Sequence, residues 1–282
     1  MKTRKNWRAF ALSIVAQIGV VCIGLIVAIC IPSEAYAVTG ATSVPTPHWV
    51  VGVQGPSACS GTLYTGNWIL TAAHCIPNLD VNGDGRIEGM EDPGSITICC
   101  GPDANGNSVD ARPADLIVRH PESTFGSNTG SDTALVHVAE PFNIGWLIEH
   151  QGAGPYYDGN GILKLHTGSS SELDDAPLSA YGYATVWLGK ATARVSETFT
   201  GWYRTMPVDG AGGICGGDSG GPDFWMTRVP VLRISKPWWR WSVEWRLSIY
   251  QTGIHSNGGC GSGADSTIHT AYVAPWVRRV TQ

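Results

Sequence analysis

The sequence predicts an all-β fold, and three observations carry that prediction. Its 282 residues include 36 glycines and 17 prolines, a supply of turn formers that short strands need and long helices exclude. Runs of the helix-favouring Ala, Glu, Lys and Leu are scarce. Short apolar or alternating stretches recur along the chain, separated by Gly, Pro, Asn and Asp clusters, as in a barrel or sandwich. A net charge of −5, with 43% hydrophobic against 15% charged residues, excludes a disordered tail, a collagen-like repeat and a basic nucleic-acid binder.

The expected strands are, in order, 48–53, 68–73, 95–99, 116–119, 134–139, 185–188, 229–234 and 247–254, each an apolar or alternating run. A single helix is expected over 271–281, with Arg278 and Arg279 in its last turn, where cations suit the helix dipole. No internal repeat, low-complexity linker or charge block marks a boundary inside residues 38–282, which are long enough to bury a core as one domain or two fused barrels.

Residues 1–37 read differently. Lys2, Arg4, Lys5 and Arg8 form a basic start, residues 9–31 are almost wholly apolar, and Ala35-Tyr36-Ala37 offers small residues where a signal peptidase cuts. The segment is expected to be a secretory signal peptide. Its apolar run exceeds the usual ~7–15 residues and approaches the ~20 that span a bilayer, so an uncleaved membrane anchor stays open. Removing four basic residues and the acid Glu34 leaves 14 Lys+Arg against 22 Asp+Glu, a net of −8, in an acidic, secreted, extracellular protein. Of eight cysteines, Cys22 and Cys30 lie in the discarded segment, and six enter an oxidising compartment. Cys99 and Cys100 are neighbours, for which a strained vicinal bridge, two plain thiols and bonds to other partners all stay open.

Three segments carry chemistry. In residues 216–222, Gly-Gly-Asp-Ser-Gly-Gly-Pro, glycines flank Ser219, which exposes a nucleophile and aims amide N–H groups at a developing oxyanion. Thr71-Ala72-Ala73-His74-Cys75 supplies a histidine, and Ser131-Asp132-Thr133 sets an aspartate at the head of an apolar strand.

These motifs, in the order His, Asp, Ser, resemble those of the trypsin/chymotrypsin-like serine proteases, specifically their secreted bacterial members. The resemblance extends from Val38 to about Val280. It implies two packed six-stranded Greek-key β-barrels with a C-terminal helix and the cleft between the barrels. It implies a secreted serine endopeptidase that works through an acyl-enzyme, with Ser219 as nucleophile, His74 as general base and acid, and Asp132 orienting the imidazole. The N–H groups of Gly217 and Ser219 would form the oxyanion hole, and Cys59–Cys75 and Cys215–Cys260 would be disulfides. Catalysis would need no cofactor. The partners would be protein or peptide substrates, not nucleic acid, with membrane contact only through an uncleaved signal segment and the chain a monomer. A catalytically silent binding protein and an esterase with the same triad are the alternatives.

By the same resemblance, a new amino terminus pairs with the aspartate before the nucleophile, here Asp218. Val38-Thr39-Gly40-Ala41 resembles the family's Ile-Val-Gly-Gly start and follows Ala37 directly. No Lys or Arg lies between Arg8 and Arg86, so signal-peptide removal itself is expected to generate the activating amine of Val38.

One insertion stands apart. Residues 80–91 match an EF-hand calcium loop at positions 1, 3, 5, 6, 8, 9 and 12, with side-chain oxygens from Asp80, Asn82, Asp84, Glu88 and Glu91, Gly85 at the sharp turn and Ile87 at position 8; Arg86 between them is counted with the candidate metal residues. Pro77 before it and Pro93-Gly94 after it argue against flanking helices, so a structural calcium clip near His74 is expected.

For specificity, the resemblance puts Gly213 at the pocket floor, where an Asp would select Arg or Lys, so a non-tryptic preference is expected. Ser256 would border the substrate backbone and Gly258 the pocket wall. His255 resembles the imidazole of the glutamate-cleaving branch, with His269 as its support, which points to Glu or Asp; small and aromatic apolar residues stay open. Finally, Trp238, Trp239, Trp241 and Trp245, interleaved with Lys236, Arg240 and Arg246, read as an extended β-hairpin, with docking of a polymer, lipid interface or partner left open.

Overall fold

The strand Val50–Gln54 (β2) is apolar on both faces, with four of its five residues buried, the signature of a strand covered on two sides rather than one. It opens a closed barrel with Ala58–Leu63 (β3), Trp68–Thr71 (β4), Thr97–Cys99 (β7), Arg112–Arg119 (β8) and Ala134–Val138 (β9), in the order β2-β3-β4-β9-β8-β7. By the strand registers Val53, Leu63, Ile69, Ile98, Ile117 and Val136 share one face and fill it, while Val50 and Leu70 are buried on the opposite face of the wall. The computed structural model describes residues 42–43, 49–76, 78–79, 89–90, 93–101, 111–123, 131–184, 187–208, 213–235, 240–258 and 265–282, all in one compact unit, Tyr36–Gln282.

The second barrel uses Pro177–Ala184 (β10), Trp187–Phe199 (β11), Trp202–Pro207 (β12), Pro222–Ser235 (β13), Arg240–Asn257 (β14) and Asp265–His269 (β15). Their order is β11-β10-β13-β14-β15-β12, and β12 pairs back onto β11 to close the ring. Numbered within each barrel, both run 1-2-3-6-5-4, a Greek key used twice. Thr42–Ser43 (β1) adds to the free side of β11, and Asn78–Leu79 (β5) pairs with Gly89–Met90 (β6). The two-barrel expectation therefore holds.

Two α-helices occur among the described residues. The C-terminal helix Thr270–Thr281 (α2) starts one residue before its expected bound and buries Val273, Ala274, Trp276 and Val277. The other, Ile144–His150 (α1), was not expected, because seven residues with an internal glycine carry little periodic signal; Asn143 caps it by accepting the Trp146 N–H at 2.9 Å. The expected strands 229–234 and 247–254 are only the middles of β13 and β14, which run 14 and 18 residues as one long ribbon. Of the expected strand 185–188, residues 185 and 186 lie outside the described residues.

Candidate active site

His74 sits on a single 3-10 turn, Ala73–Cys75, that follows β4. The turn is tethered by a disulfide from Cys75 to Cys59 on β3. Asp132 stands just before β9, 7% exposed, and holds the histidine twice: its Oδ1 accepts the His74 backbone N–H at 2.9 Å, and its Oδ2 lies 2.7 Å from His74 Nδ1. The two bonds fix both the position of the turn and the rotation of the ring. Ser256 Oγ donates to the same Oδ2 at 2.6 Å, so this residue, expected at the substrate backbone, has its hydroxyl on the carboxylate. Burial pushes the Asp132 pKa upward, but the hydrogen bonds from His74 and Ser256 outweigh it and hold the carboxyl below its ordinary value.

Ser219 arrives from the second barrel. Its carbonyl accepts the Ser60 N–H at 2.8 Å and lies 3.5 Å from Cys75 Sγ, which seats the serine against the histidine turn. Gly220 follows at φ +82, and a Cβ there would meet Thr71 Oγ1 and the Ser60 carbonyl, so no other residue fits this elbow. Ser60, fully buried on β3, also donates its hydroxyl to the Gly217 carbonyl at 2.7 Å and accepts the Tyr183 N–H at 2.7 Å. One side chain of the first barrel thus pins the 217–219 loop of the second. Sequence reasoning missed Ser60, because its partners lie more than 120 positions away.

Asp218 points away from this cleft into the protein. It is fully buried, its Oδ2 accepts the Cys215 N–H at 2.7 Å, and its Oδ1 has no hydrogen-bond partner among the described residues. The carboxylate packs on Gly182, where a Cβ would overlap it. Burial raises its pKa to about 7. Val38 lies outside the described residues, as do Asp80, Asn82, Asp84, Arg86, Glu88 and Glu91. Cys215 is disulfide-bonded, while Cys260 lies outside the described residues. The sulfurs of Cys99 and Cys100 lie 2.7 Å apart, with the Cys100 thiol donating to Cys99 Sγ.

The specificity residues separate into three environments. Gly213 is buried next to Ile214 in the chain, and a Cβ on Gly258 would lie 3.0 Å from the Ile214 carbonyl. His255 is fully buried with Nε2 3.0 Å from Asp223 Oδ1, itself fully buried and accepting the Tyr203 hydroxyl at 3.0 Å. Burial favours neutral imidazole, yet the carboxylates of Asp223, Asp218 and Asp265 outweigh it and raise the pKa. His269 bonds elsewhere: its Nε2 lies 3.1 Å from His166 Nδ1, and His166 Nε2 lies 3.3 Å from Glu172. Burial, with His166, lowers the His269 pKa to about 4. A residue the sequence did not flag, Asp265, is 2% exposed, accepts the Ile214 N–H at 2.9 Å, and sets an oxygen 2.6 Å from a Cβ built on Gly258.

A cavity of about 450 Å³ lined by Tyr64, Asp158, Lys164, Tyr250 and Arg278 includes none of these groups. The His74 turn, β3 and the 217–220 elbow meet elsewhere, through the Ser60 and Cys75 contacts to Ser219 and Gly217. The family model described as Trypsin matches residues 37–277, and the chain belongs to that family of serine proteases.

Proposed function

We propose that the chain is an exported serine endopeptidase. Ser219 Oγ attacks the scissile carbonyl while His74 Nε2 takes its proton. Asp132 holds the Nδ1–H and stabilises the imidazolium that forms. The N–H groups of Gly217 and Ser219 receive the oxyanion, and the proton passes from His74 to the leaving amine. Water then repeats the cycle on the acyl-enzyme. The observation that carries this reading is the double grip of Asp132 on His74, which presets the tautomer that proton acceptance at Nε2 requires. The signal peptide 1–37 is removed behind Ala37, and the amine of Val38 then enters the Asp218 pocket. Residues 80–91 hold one structural calcium, a reading supported by their ligand spacing and by the β5–β6 pairing that brings the loop's ends together.

Two readings of the residue cleaved after meet in one assay. The acid-selective reading uses His255; its raised pKa supports it, while full burial against Asp223 weakens it. The second is favoured by Asp265, whose carboxylate beside Gly258 and Ile214 suits a cationic side chain. The exported protein and its Ser219→Ala variant are incubated with a diverse peptide mixture and the cut bonds read by mass spectrometry. Cleavage lost in the variant supports the triad, and the side chain before the cut decides between His255 and Asp265. No cleavage by processed protein returns the binding-scaffold reading, and turnover confined to esters returns the esterase.

A further inference from the structure

The ribbon of β13 and β14 extends well beyond what the barrel needs. Its strands stay paired from Pro222↔Ile254 to Ser235↔Arg240. Residues opposite each other share a face, and faces alternate along each strand. One face therefore collects the pairs Met226↔Ile249, Arg228↔Leu247, Pro230↔Trp245 and Leu232↔Val243, while the other collects Thr227↔Ser248, Val229↔Arg246, Val231↔Glu244 and Arg233↔Ser242. The first is apolar save for Arg228, and apart from Ile249 at its base it faces water. Met226 is 59% exposed, Leu232 59%, Val243 50% and Leu247 45%, and the two tryptophans Trp245 and Trp241 reach 62% and 72%. On the second face Glu244 is paired with Arg233 and Arg246.

Charge is segregated in the same way. Residues 226–249 carry Arg228, Arg233, Lys236, Arg240 and Arg246 against Glu244 alone, a net of +4, whereas the remainder of residues 38–282 carries −12. We infer that this ribbon docks the protein on an anionic lipid bilayer, with Trp241, Trp245, Leu232, Val243, Leu247 and Met226 entering the headgroup region, Arg228 on the same face meeting a lipid phosphate, and the ribbon's net positive charge drawing it to the anionic leaflet. Tryptophans favour that depth and cations are drawn to an anionic leaflet. The four aliphatic side chains, Met226, Leu232, Val243 and Leu247, carry no N–H or O–H donor and match acyl chains better than a sugar polymer, and the indole N–H groups of the two tryptophans suit the headgroup region. A second copy's ribbon would bring like charges together. The inference departs from the expectation that membrane contact needs an uncleaved signal segment, and it is independent of the proteolytic reading.

The test is flotation of the exported protein with vesicles of phosphatidylcholine and phosphatidylglycerol at about 7:3, beside vesicles of phosphatidylcholine alone. Binding is expected to the anionic vesicles, weakened by about 0.5 M salt as screening shortens, and at least about tenfold weaker for Trp241→Ser/Trp245→Ser. The circular dichroism spectrum and melting temperature of that variant are expected to stay at the native values, which reports that it folds whatever its activity; Leu232→Ser, a milder change on the same face, should show an intermediate loss of binding. Equal binding by native protein and variant overturns the proposal, as does no binding to anionic vesicles. A concentration-dependent oligomer in sedimentation, abolished by the double variant without any vesicle binding, assigns the face to a second copy instead.

Discussion

Asp218 is a buried carboxylate raised to about 7, with one oxygen unpartnered among the described residues. The sign of its effect follows from linkage. Between the ordinary carboxyl value of 3.8 and about 7 the unfolded chain has lost the proton that the folded chain keeps, so rising pH destabilises the fold across that window and no further above it. The slope is about 1.4 kcal/mol per pH unit. His269, lowered to about 4, pulls the opposite way between 4 and 6.5, so the unmodified protein's curve hides both effects. The difference between Asp218→Asn and the parent, measured on the uncleaved chain, isolates the first. The melting temperature of the variant is expected to gain on the parent from pH 4 to 7 and then run parallel; a constant difference over that range would refute the assignment. Ser60 supplies a second test at this scale. Ser60→Ala removes one donor from the Gly217 carbonyl and one acceptor from the Tyr183 N–H, leaving two polar groups without that partner at a cost of roughly 1–3 kcal/mol each. Because the loop it pins carries the oxyanion donors, turnover is expected to fall by about 10-fold or more with little change in KM, read by steady-state kinetics.

Among the elements, the β5–β6 pair and the loop it closes invite the next experiment. Metal held only by the folded chain stabilises it by mass action, about 2.7 kcal/mol at a hundredfold excess over Kd. Chelator is expected to lower the melting temperature, calcium to restore it, and Asp80→Ala to abolish the response; a curve indifferent to chelator would remove the site. The His74 turn, the 216–222 elbow and the strands β2 and β9 were legible from sequence because their signals lie within a few consecutive positions. What escaped notice is non-local. Ser60 reaches Gly217 across 157 positions, and Asp265 reaches Ile214 across 51. The destination of Ser256 on Asp132 spans 124. His255 was visible as a residue but not as the partner of Asp223, since nothing local distinguishes an imidazole facing a pocket from one facing a buried carboxylate. Helix α1 was missed because its stability comes from an Asn143 cap and from burying Ile144 and Leu147, not from propensity.

At the scale of the molecule, two barrels of the same strand order bring the residues of the proposed site together along one seam. The first supplies His74, Asp132 and Ser60, and the second supplies Ser219, Gly217 and Ser256. An element that orders the second barrel's loops therefore acts on the whole cleft, and Asp218 lies at the root of those loops, bonded to Cys215 and adjoining the serine. A cation delivered to its free oxygen would return the carboxyl from about 7 toward 3.8, a change of roughly 4 kcal/mol, or about three decades in the population of the ordered loop. The proposed source is the amine of Val38, created when export removes residues 1–37, so that secretion and activation are one event. A chain made resistant to signal peptidase at Ala35 and Ala37 is expected to label poorly with an active-site serine phosphonate and to turn over peptides at least about a hundredfold more slowly than the processed form. Amino-terminal sequencing of the active, exported protein should begin at Val38. The activity of that form should decline at alkaline pH as the amine, ordinarily near 8 and raised by its partner, loses its proton. Asp218→Asn, which cannot hold the ammonium by charge, should leave processed protein as slow as the uncleaved chain. An active species beginning at any other residue, or full activity in the uncleaved chain, would separate secretion from activation and leave the buried carboxylate to be explained by its bonds within the barrel alone.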